Sequence, residues 1–166
     1  MEKHSDSGKL YLWTYPEENA SPPTIDSFEG WHLTADAAAC ADLSRVLEDL
    51  STGTLTEPQT FAVSPAPPAI VAMPGGRVRN RKAQSAHELR IVRAPEPRHF
   101  SLEERDGVLT ITAGRDFLEE IRHHVILIPE NEGDFTMIPD EENASPDQTL
   151  WFWWLLSQDQ GARPKS

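Results

Sequence analysis

The stretch WHLTADAAACADLSRVLEDLSTG, residues 31–53, places a short extended segment directly before an amphipathic helix. Apolar residues in it recur at steps of three and four, which brings them to one face of a helix. Thr34 is the predicted N-cap because its hydroxyl can accept a hydrogen bond from the first turn, and Gly53 is the predicted C-terminal stop. The apolar face consists of Ala37, Cys40, Leu43, Leu47 and Leu50.

Short strands are predicted on both sides of this helix. They are rich in branched and aromatic residues and are bounded by turn residues, and they cover residues 10–15, 60–63, 88–93, 134–138 and 150–154. Asp106-Gly107 predicts a tight turn that joins two further strands, 100–105 and 108–112, into a hairpin. A second helix is predicted after Gly114. The apolar run 125–128 fits the end of this helix or a short strand, and periodicity does not separate the two.

This order of elements predicts an α+β domain. We expect a mainly antiparallel sheet of about five to seven strands with two helices packed on one face. Residues 65–87, which are rich in Pro, Gly and Arg, are predicted to form a long exposed loop. The predicted domain covers residues 10–156, with flexible termini at 1–9 and 157–166.

The net charge of −12 over 166 residues is unevenly distributed. Residues 1–60 carry −8 and residues 99–166 carry −9, whereas residues 61–98 carry +5. An excess of acidic groups repels nucleic acid phosphates and attracts basic proteins. The same excess also keeps a small protein soluble without any partner, so the charge alone does not decide between these roles.

Cysteine content and hydropathy indicate the cellular environment. A single cysteine, Cys40, excludes an intramolecular disulfide and zinc sites built from paired cysteines. Its place on the apolar helix face predicts a buried residue rather than a catalytic thiolate. Residues 150–156, the most apolar run, are far fewer than the roughly 20 residues that span a bilayer, and residues 1–9 do not read as a secretion signal. We expect a soluble, cytoplasmic protein without membrane contact, cofactor or metal.

Four neighbouring residues, Glu119, Glu120, His123 and His124, form the best titratable cluster. Their three- and four-residue spacing would bring the side chains together on a helix, where they could bind a metal or relay a proton. Acids near the start of a helix and histidines near its end also complement the helix dipole, which is the ordinary explanation. We therefore name them only as weak catalytic candidates.

Two segments are predicted to contact a partner. In a strand, Trp151 and Trp153 share one face, whereas Phe152 and Trp154 share the other, and one of these faces must be the core. If the strand lies at a sheet edge, the other face is exposed, and all three tryptophans are candidate anchors because tryptophan is enriched at binding hot spots. If a helix covers that face, the same residues are simply part of the core. The second segment is basic, lacks the aromatic residues that stack on single-stranded bases, and consists of Arg77, Arg79, Arg81 and Lys82.

The hexapeptide Glu-Glu-Asn-Ala-Ser-Pro occurs twice, at residues 17–22 and 141–146. Its flanks do not match at a constant offset, so a similar loop composition reached twice is the preferred interpretation. The alternative is that the two copies lie side by side and form one acidic lip.

These features favour a non-enzymatic domain that binds another protein, a basic one, as an inhibitor, an immunity-type protein or an adaptor does. The alternative is a small enzyme or ligand-binding domain whose pocket lies under the loop 65–87, lined by His32, His99 and the Glu/His cluster. A third hypothesis is weak nucleic acid contact through residues 77–93. The sequence alone does not identify the partner, the substrate or the oligomeric state.

Overall fold

The computed structural model describes residues 2–4, 8–15, 30–72, 82–130, 135–137 and 149–153. In these ranges the helices are α1 (Ala37–Thr52), α2 (Pro68–Val71) and α3 (Arg115–Leu127). The strands are β1 (Glu2–His4), β2 (Leu10–Thr14), β3 (Trp31–Ala35), β4 (Gln59–Ala62), β5 (Gln84–Ser85), β6 (Glu88–Arg93), β7 (Phe100–Arg105), β8 (Val108–Ala113), β9 (Phe135–Met137) and β10 (Leu150–Phe152).

The strands form two sheets, which corrects the prediction of one mainly antiparallel sheet. Sheet 1 has the order β1-β4-β6-β8-β7, and sheet 2 has the order β5-β2-β3-β10-β9. Three of the eight pairings between the described strands are parallel, namely β1 with β4, β6 with β8, and β3 with β10. The α+β class is confirmed. The number of sheets was missed because parallel neighbours are joined by long connections, which leave no local pattern.

The predicted helix after residue 36 is confirmed, but its cap is not Thr34. Thr34 lies in β3, paired with Tyr11. The N-cap is Asp36, whose Oδ1 accepts a hydrogen bond from the backbone N–H of Ala39 at 2.9 Å. Gly53 ends the helix at φ 83°, a conformation that glycine adopts without strain.

The hairpin and the end of the second helix agree with the structure, whereas the predicted loop and N-terminus contain additional elements. Asp106 and Gly107, both at positive φ, form the turn between β7 and β8. The ambiguous run after residue 124 is helical as far as Leu127. Two short elements, α2 and β5, lie inside the predicted loop 65–87, and residues 73–81 are outside the described ranges. Strand β1 falls within the predicted flexible N-terminus.

The chain contains the same five-element unit twice, with strands exchanged between the copies. The first copy is β2-β3-α1-β4-β6, and the second is β7-β8-α3-β9-β10. In each copy the first two strands form an antiparallel hairpin that leads into a helix. The last two strands then cross over to the other copy, so β6 pairs with β8 and β10 pairs with β3. Neither sheet is complete without strands from both halves.

Within the central part of each copy, β3–α1 and β8–α3, buried residues match at a constant offset of 78 in the sequence, which supports an internal duplication. Seven pairs of buried residues match in this way, three from β3 and β8 and four from α1 and α3, where Ile128 directly follows α3. The pairs are Trp31 and Leu109, Leu33 and Ile111, Ala35 and Ala113, Cys40 and Leu118, Leu43 and Ile121, Leu47 and Val125, and Leu50 and Ile128. The repeated hexapeptide has a different offset and is not part of this duplication.

Both sheets share one hydrophobic core. Its buried residues come from the inner faces of sheet 1 and sheet 2 and from α1 and α3, which pack against each other. The prediction placed two helices on one face of a single sheet, whereas α1 and α3 share this core with both sheets. None of the described helices is long and apolar enough to cross a membrane.

Candidate functional site

The outer face of sheet 2, which points away from α1 and α3, carries a layer of aromatic rings. Strand alternation sends Leu12, Leu33 and Phe152 to the core and their sequence neighbours to this outer face. We call the outer residues the aromatic layer: Trp13, Tyr15, His32, Trp151 and Trp153. The predicted shared face of Trp151 and Trp153 is thus observed, with Phe152 in the core.

His32 is the centre of the aromatic layer. It is completely buried, and its ring stacks on three indoles, with centroid distances of 5.4 Å to Trp13, 5.8 Å to Trp151 and 5.9 Å to Trp153. Tyr15 meets it edge-on at 5.0 Å. Trp153 Nε1 donates a hydrogen bond to His32 Nδ1 at 2.9 Å. Because Nδ1 accepts this hydrogen bond, the neutral His32 side chain carries its ring proton on Nε2.

The short helix α2 covers part of the aromatic layer. Ile70 is buried against the rings, and Ala66, Val71 and Ala83 pack at the margin. The Tyr15 hydroxyl donates a hydrogen bond to the Val71 carbonyl and accepts one from Trp13 Nε1 at 2.9 Å. Trp151 is only half-buried. The cover thus buries Trp13 and leaves part of Trp151 accessible.

The outer face of sheet 1 can be compared with the aromatic layer position by position. The strand pairings make Glu103, Thr110 and Arg90 equivalent to Trp13, His32 and Trp151. These are ordinary residues for a solvent-facing sheet surface. The duplicated fold is therefore formed with or without aromatic residues on the outer face, so the fold itself does not require the aromatic layer.

The described residues that flank the two segments containing the repeated hexapeptide lie at one edge of sheet 2, where the strands β3 and β10 begin. Because β3 and β10 are parallel and β2 and β9 run against them, Tyr15, Gly30, Met137 and Thr149 all lie at this edge. The Trp31 N–H donates to the Thr149 carbonyl at 2.9 Å and joins two of these ends. Residues 16–29 and 138–148 connect them, and each segment carries four acidic residues and no basic ones. Both segments are outside the described ranges, so the acidic lip stays a prediction.

The residues of the Glu/His cluster of α3 differ in their contacts and in their exposure. Glu119 Oε1 accepts a hydrogen bond from Ser51 Oγ at 2.7 Å, and Oε2 accepts one from Arg122 Nε at 2.9 Å. The hydrogen bond from Ser51, assisted by Arg122 and opposed by burial, lowers the pKa of Glu119. Glu120 and His123 are exposed. Among the described residues, no group of three or more His, Cys, Asp or Glu side chains is arranged to bind a metal ion.

Other predicted site residues lie elsewhere. His124 is half-buried with its ring 5.1 Å from Phe152, and burial lowers its pKa. His99 is exposed beside Ser101. Cys40 is buried, and desolvation, with a smaller contribution from Asp36, raises its pKa to about 12. Lys82 is exposed. The remaining predicted partner residues, Arg77, Arg79, Arg81 and Trp154, are outside the described ranges.

A separate cleft of about 590 Å³ lies where the end of α1, the end of β6 and the start of α3 meet. We call it the Arg93 cleft. It is lined by Ser51, Thr52, Arg93, Arg115, Asp116 and Glu119. Of these, only Glu119 was singled out from the sequence, because the cleft combines residues from distant segments.

Comparison with known proteins gives no further assignment. No protein-family model, no curated protein and no solved structure matches this chain.

Proposed function

We propose that this chain is a non-enzymatic binding protein whose partner is a basic protein, docked at the edge of sheet 2 beside Trp151. The observation that carries the proposal is the difference between the two outer faces of a duplicated fold. Positions that hold Glu103, Thr110 and Arg90 on sheet 1 hold Trp13, His32 and Trp151 on sheet 2. A tryptophan in place of a residue that the fold accepts equally well is a candidate for binding rather than folding.

Trp151 has the properties of a binding anchor. Its ring is held by stacking on His32 and on Trp153, with centroids at 5.8 Å and 6.0 Å. Part of it is nevertheless accessible. An aromatic side chain that is already fixed loses little conformational entropy when a partner covers it, so most of the gain from burial contributes to affinity.

The composition of the two segments attached at this edge selects the class of partner. Residues 16–29 and 138–148 start and end at the edge next to Trp151 and contribute eight acidic residues without a basic one. A concentration of like charge beside an apolar anchor accelerates association with a basic surface and disfavours acidic competitors. Nucleic acid is disfavoured as a partner for the same reason.

The test is native mass spectrometry of the protein isolated gently from its own cells, in three forms. Wild type and Arg90→Ala, which changes the equivalent position on sheet 1, should each carry a stoichiometric protein rich in Lys and Arg. Trp151→Ala should lose it while circular dichroism shows the native fold. A partner that is retained by Trp151→Ala, a partner without basic character, or a chain isolated without any protein partner would overturn the proposal.

A second test changes only charge and leaves the aromatic layer intact. Replacing Glu17, Glu18, Glu141 and Glu142 with Gln removes four acids from the two segments that start and end at the docking edge. The matched control replaces four exposed acids elsewhere, Glu48, Glu57, Glu103 and Glu120, and changes the net charge by the same amount. We expect the association rate to fall at least about tenfold in the first variant only. Equal rates in the two variants would show that only the total charge matters.

A further inference from the structure

The Arg93 cleft contains a guanidinium whose Nε atom has no acceptor among the described residues. The Nε atom of Arg93 is shielded from solvent and makes no hydrogen bond. None of the ion pairs formed within the described ranges includes Arg93. A shielded N–H without an acceptor is costly, and native proteins usually satisfy such groups with a protein atom, water or a bound ion.

The acids of the cleft are engaged elsewhere. Both oxygens of Glu119 accept hydrogen bonds, from Ser51 and from Arg122. Asp116 Oδ1 lies 3.6 Å from Arg115 Nε. Two arginines and two carboxylates thus line the cleft, but the pairings leave the charge of Arg93 without an opposite charge. With Arg122, which binds Glu119 from outside this lining, three arginines share two carboxylates, so the group lacks one negative charge.

A structural role explains only part of this arrangement. A β-carbon on Gly53 would lie 3.6 Å from Arg93 Nη1, so the guanidinium lies beside the C-cap of α1. A cation there complements the negative end of the helix dipole. That role needs a positive charge but neither a cleft nor the fork of donors that distinguishes arginine from lysine.

The duplicated fold again provides the control. At the offset of 78, Arg115, Asp116 and Glu119 correspond to Ala37, Ala38 and Ala41 at the start of α1. The start of α1 is capped by Asp36, whereas Gly114 gives α3 no side-chain cap. The equivalent helix thus forms with three alanines in the same places, so the polar lining of the cleft is not needed to build the fold.

We propose that the Arg93 cleft binds the carboxylate of a small molecule, with the two Nη atoms of Arg93 donating to both oxygens and Arg115 contributing from the wall. A carboxylate supplies the single negative charge and the planar pair of acceptors that a guanidinium matches. A phosphate dianion would bring a second charge close to Asp116 and Glu119. A volume of about 590 Å³ also leaves room for the rest of a small ligand. The cleft shares no residue with the aromatic layer, so this proposal does not rest on the proposed protein partner.

The experiment follows the Arg93 Nε–H signal by NMR during titration with sodium acetate and sodium benzoate, at constant ionic strength against sodium chloride. Saturable shifts of this signal are expected with both carboxylates in wild type. They should persist in Arg90→Gln, which alters the same residue type on the other face of the same strand, where Nε also lacks a partner. In Arg93→Gln, signals of the neighbouring Gly53 and Thr52 serve as reporters and should show no saturable change.

A charge-conserving variant separates binding from helix stabilisation. Arg93→Lys keeps the cation at the end of α1 but loses the donor fork, so we expect native stability and carboxylate binding weakened by about tenfold. Shifts that are linear in concentration, or identical in wild type and Arg93→Gln, would overturn the proposal. Saturable binding of sodium phosphate without binding of either carboxylate would show that the assigned ligand class is wrong.

Discussion

Exchange of strands between the two copies predicts that neither sheet unfolds without the other. Leu43 in α1 and Ile121 in α3 occupy equivalent positions and are each 1 % exposed. Truncating either side chain to alanine removes three buried carbon atoms and leaves a cavity, which costs about 2–5 kcal/mol. This is a large share of the roughly 5–15 kcal/mol that stabilises a typical domain. With a urea dependence of about 2 kcal/mol per molar, each midpoint should fall by about 1–2.5 M.

The assay uses two probes that report on different parts of the fold. All four tryptophans in the described ranges belong to sheet 2 or directly follow it, so their fluorescence follows that sheet. Far-UV circular dichroism follows both sheets and the helices. For Ile121→Ala, in the second copy, both probes should shift to the same lower midpoint, as they should for Leu43→Ala. A fluorescence midpoint that stays at the wild-type value in Ile121→Ala would refute the reasoning, because sheet 2 would then be independent of α3.

Three further predictions concern titratable groups. Ser51→Ala should raise the pKa of Glu119 toward its ordinary value. The substitution should lower the free energy of unfolding at pH 7, and this loss should fade as the pH falls through the lowered pKa. A loss that is independent of pH in urea titrations would contradict this. The Cys40 thiol should not react with a thiol reagent at pH 8 until the protein unfolds, and rapid stoichiometric labelling of the native protein would disprove its burial. Burial lowers the pKa of His124 in the folded protein, so the unfolded chain binds the proton more readily. Stability should therefore decline as the pH falls below about 6.5, and the decline should be smaller in His124→Gln. Equal declines in the two proteins would show that burial of His124 does not matter.

Elements that depend on neighbouring residues were predicted from the sequence. Asp106-Gly107 correctly predicted the hairpin of β7 and β8, and the apolar spacing of Cys40, Leu43 and Leu47 correctly predicted α1. The cap of α1 was misassigned because Thr34 and Asp36 are both good N-caps, and the choice between them depends on how far β3 extends. That length is set by pairing with β2, which a single segment does not reveal.

The duplication was not found from the sequence because it preserves burial rather than identity. Of the seven matching buried pairs, only Ala35 and Ala113 are the same residue. A search for apolar positions at constant offset would have detected it. The repeated hexapeptide drew attention to a different offset, although the structure brings the ends of both segments that contain it to one edge of sheet 2.

The two candidate sites differ in how much of them was visible in the sequence. The shared face of Trp151 and Trp153 followed from strand alternation. His32 as their centre did not, because the hydrogen bond from Trp153 spans 121 residues and requires the parallel pairing of β3 with β10. The Arg93 cleft is built from three distant segments, and no local pattern marks Arg93 as unpaired.

The most direct test of the proposed docking edge is hydrogen–deuterium exchange of the chain, free and in complex with the protein isolated with it. We predict slower exchange in the complex for the peptides that contain Tyr15, Gly30–His32 and Thr149–Trp153. The outer face of sheet 1, including Arg90 and Thr110, should exchange at the same rate in both states. Protection confined to sheet 1 or to the helices, with the edge of sheet 2 unchanged, would contradict the account.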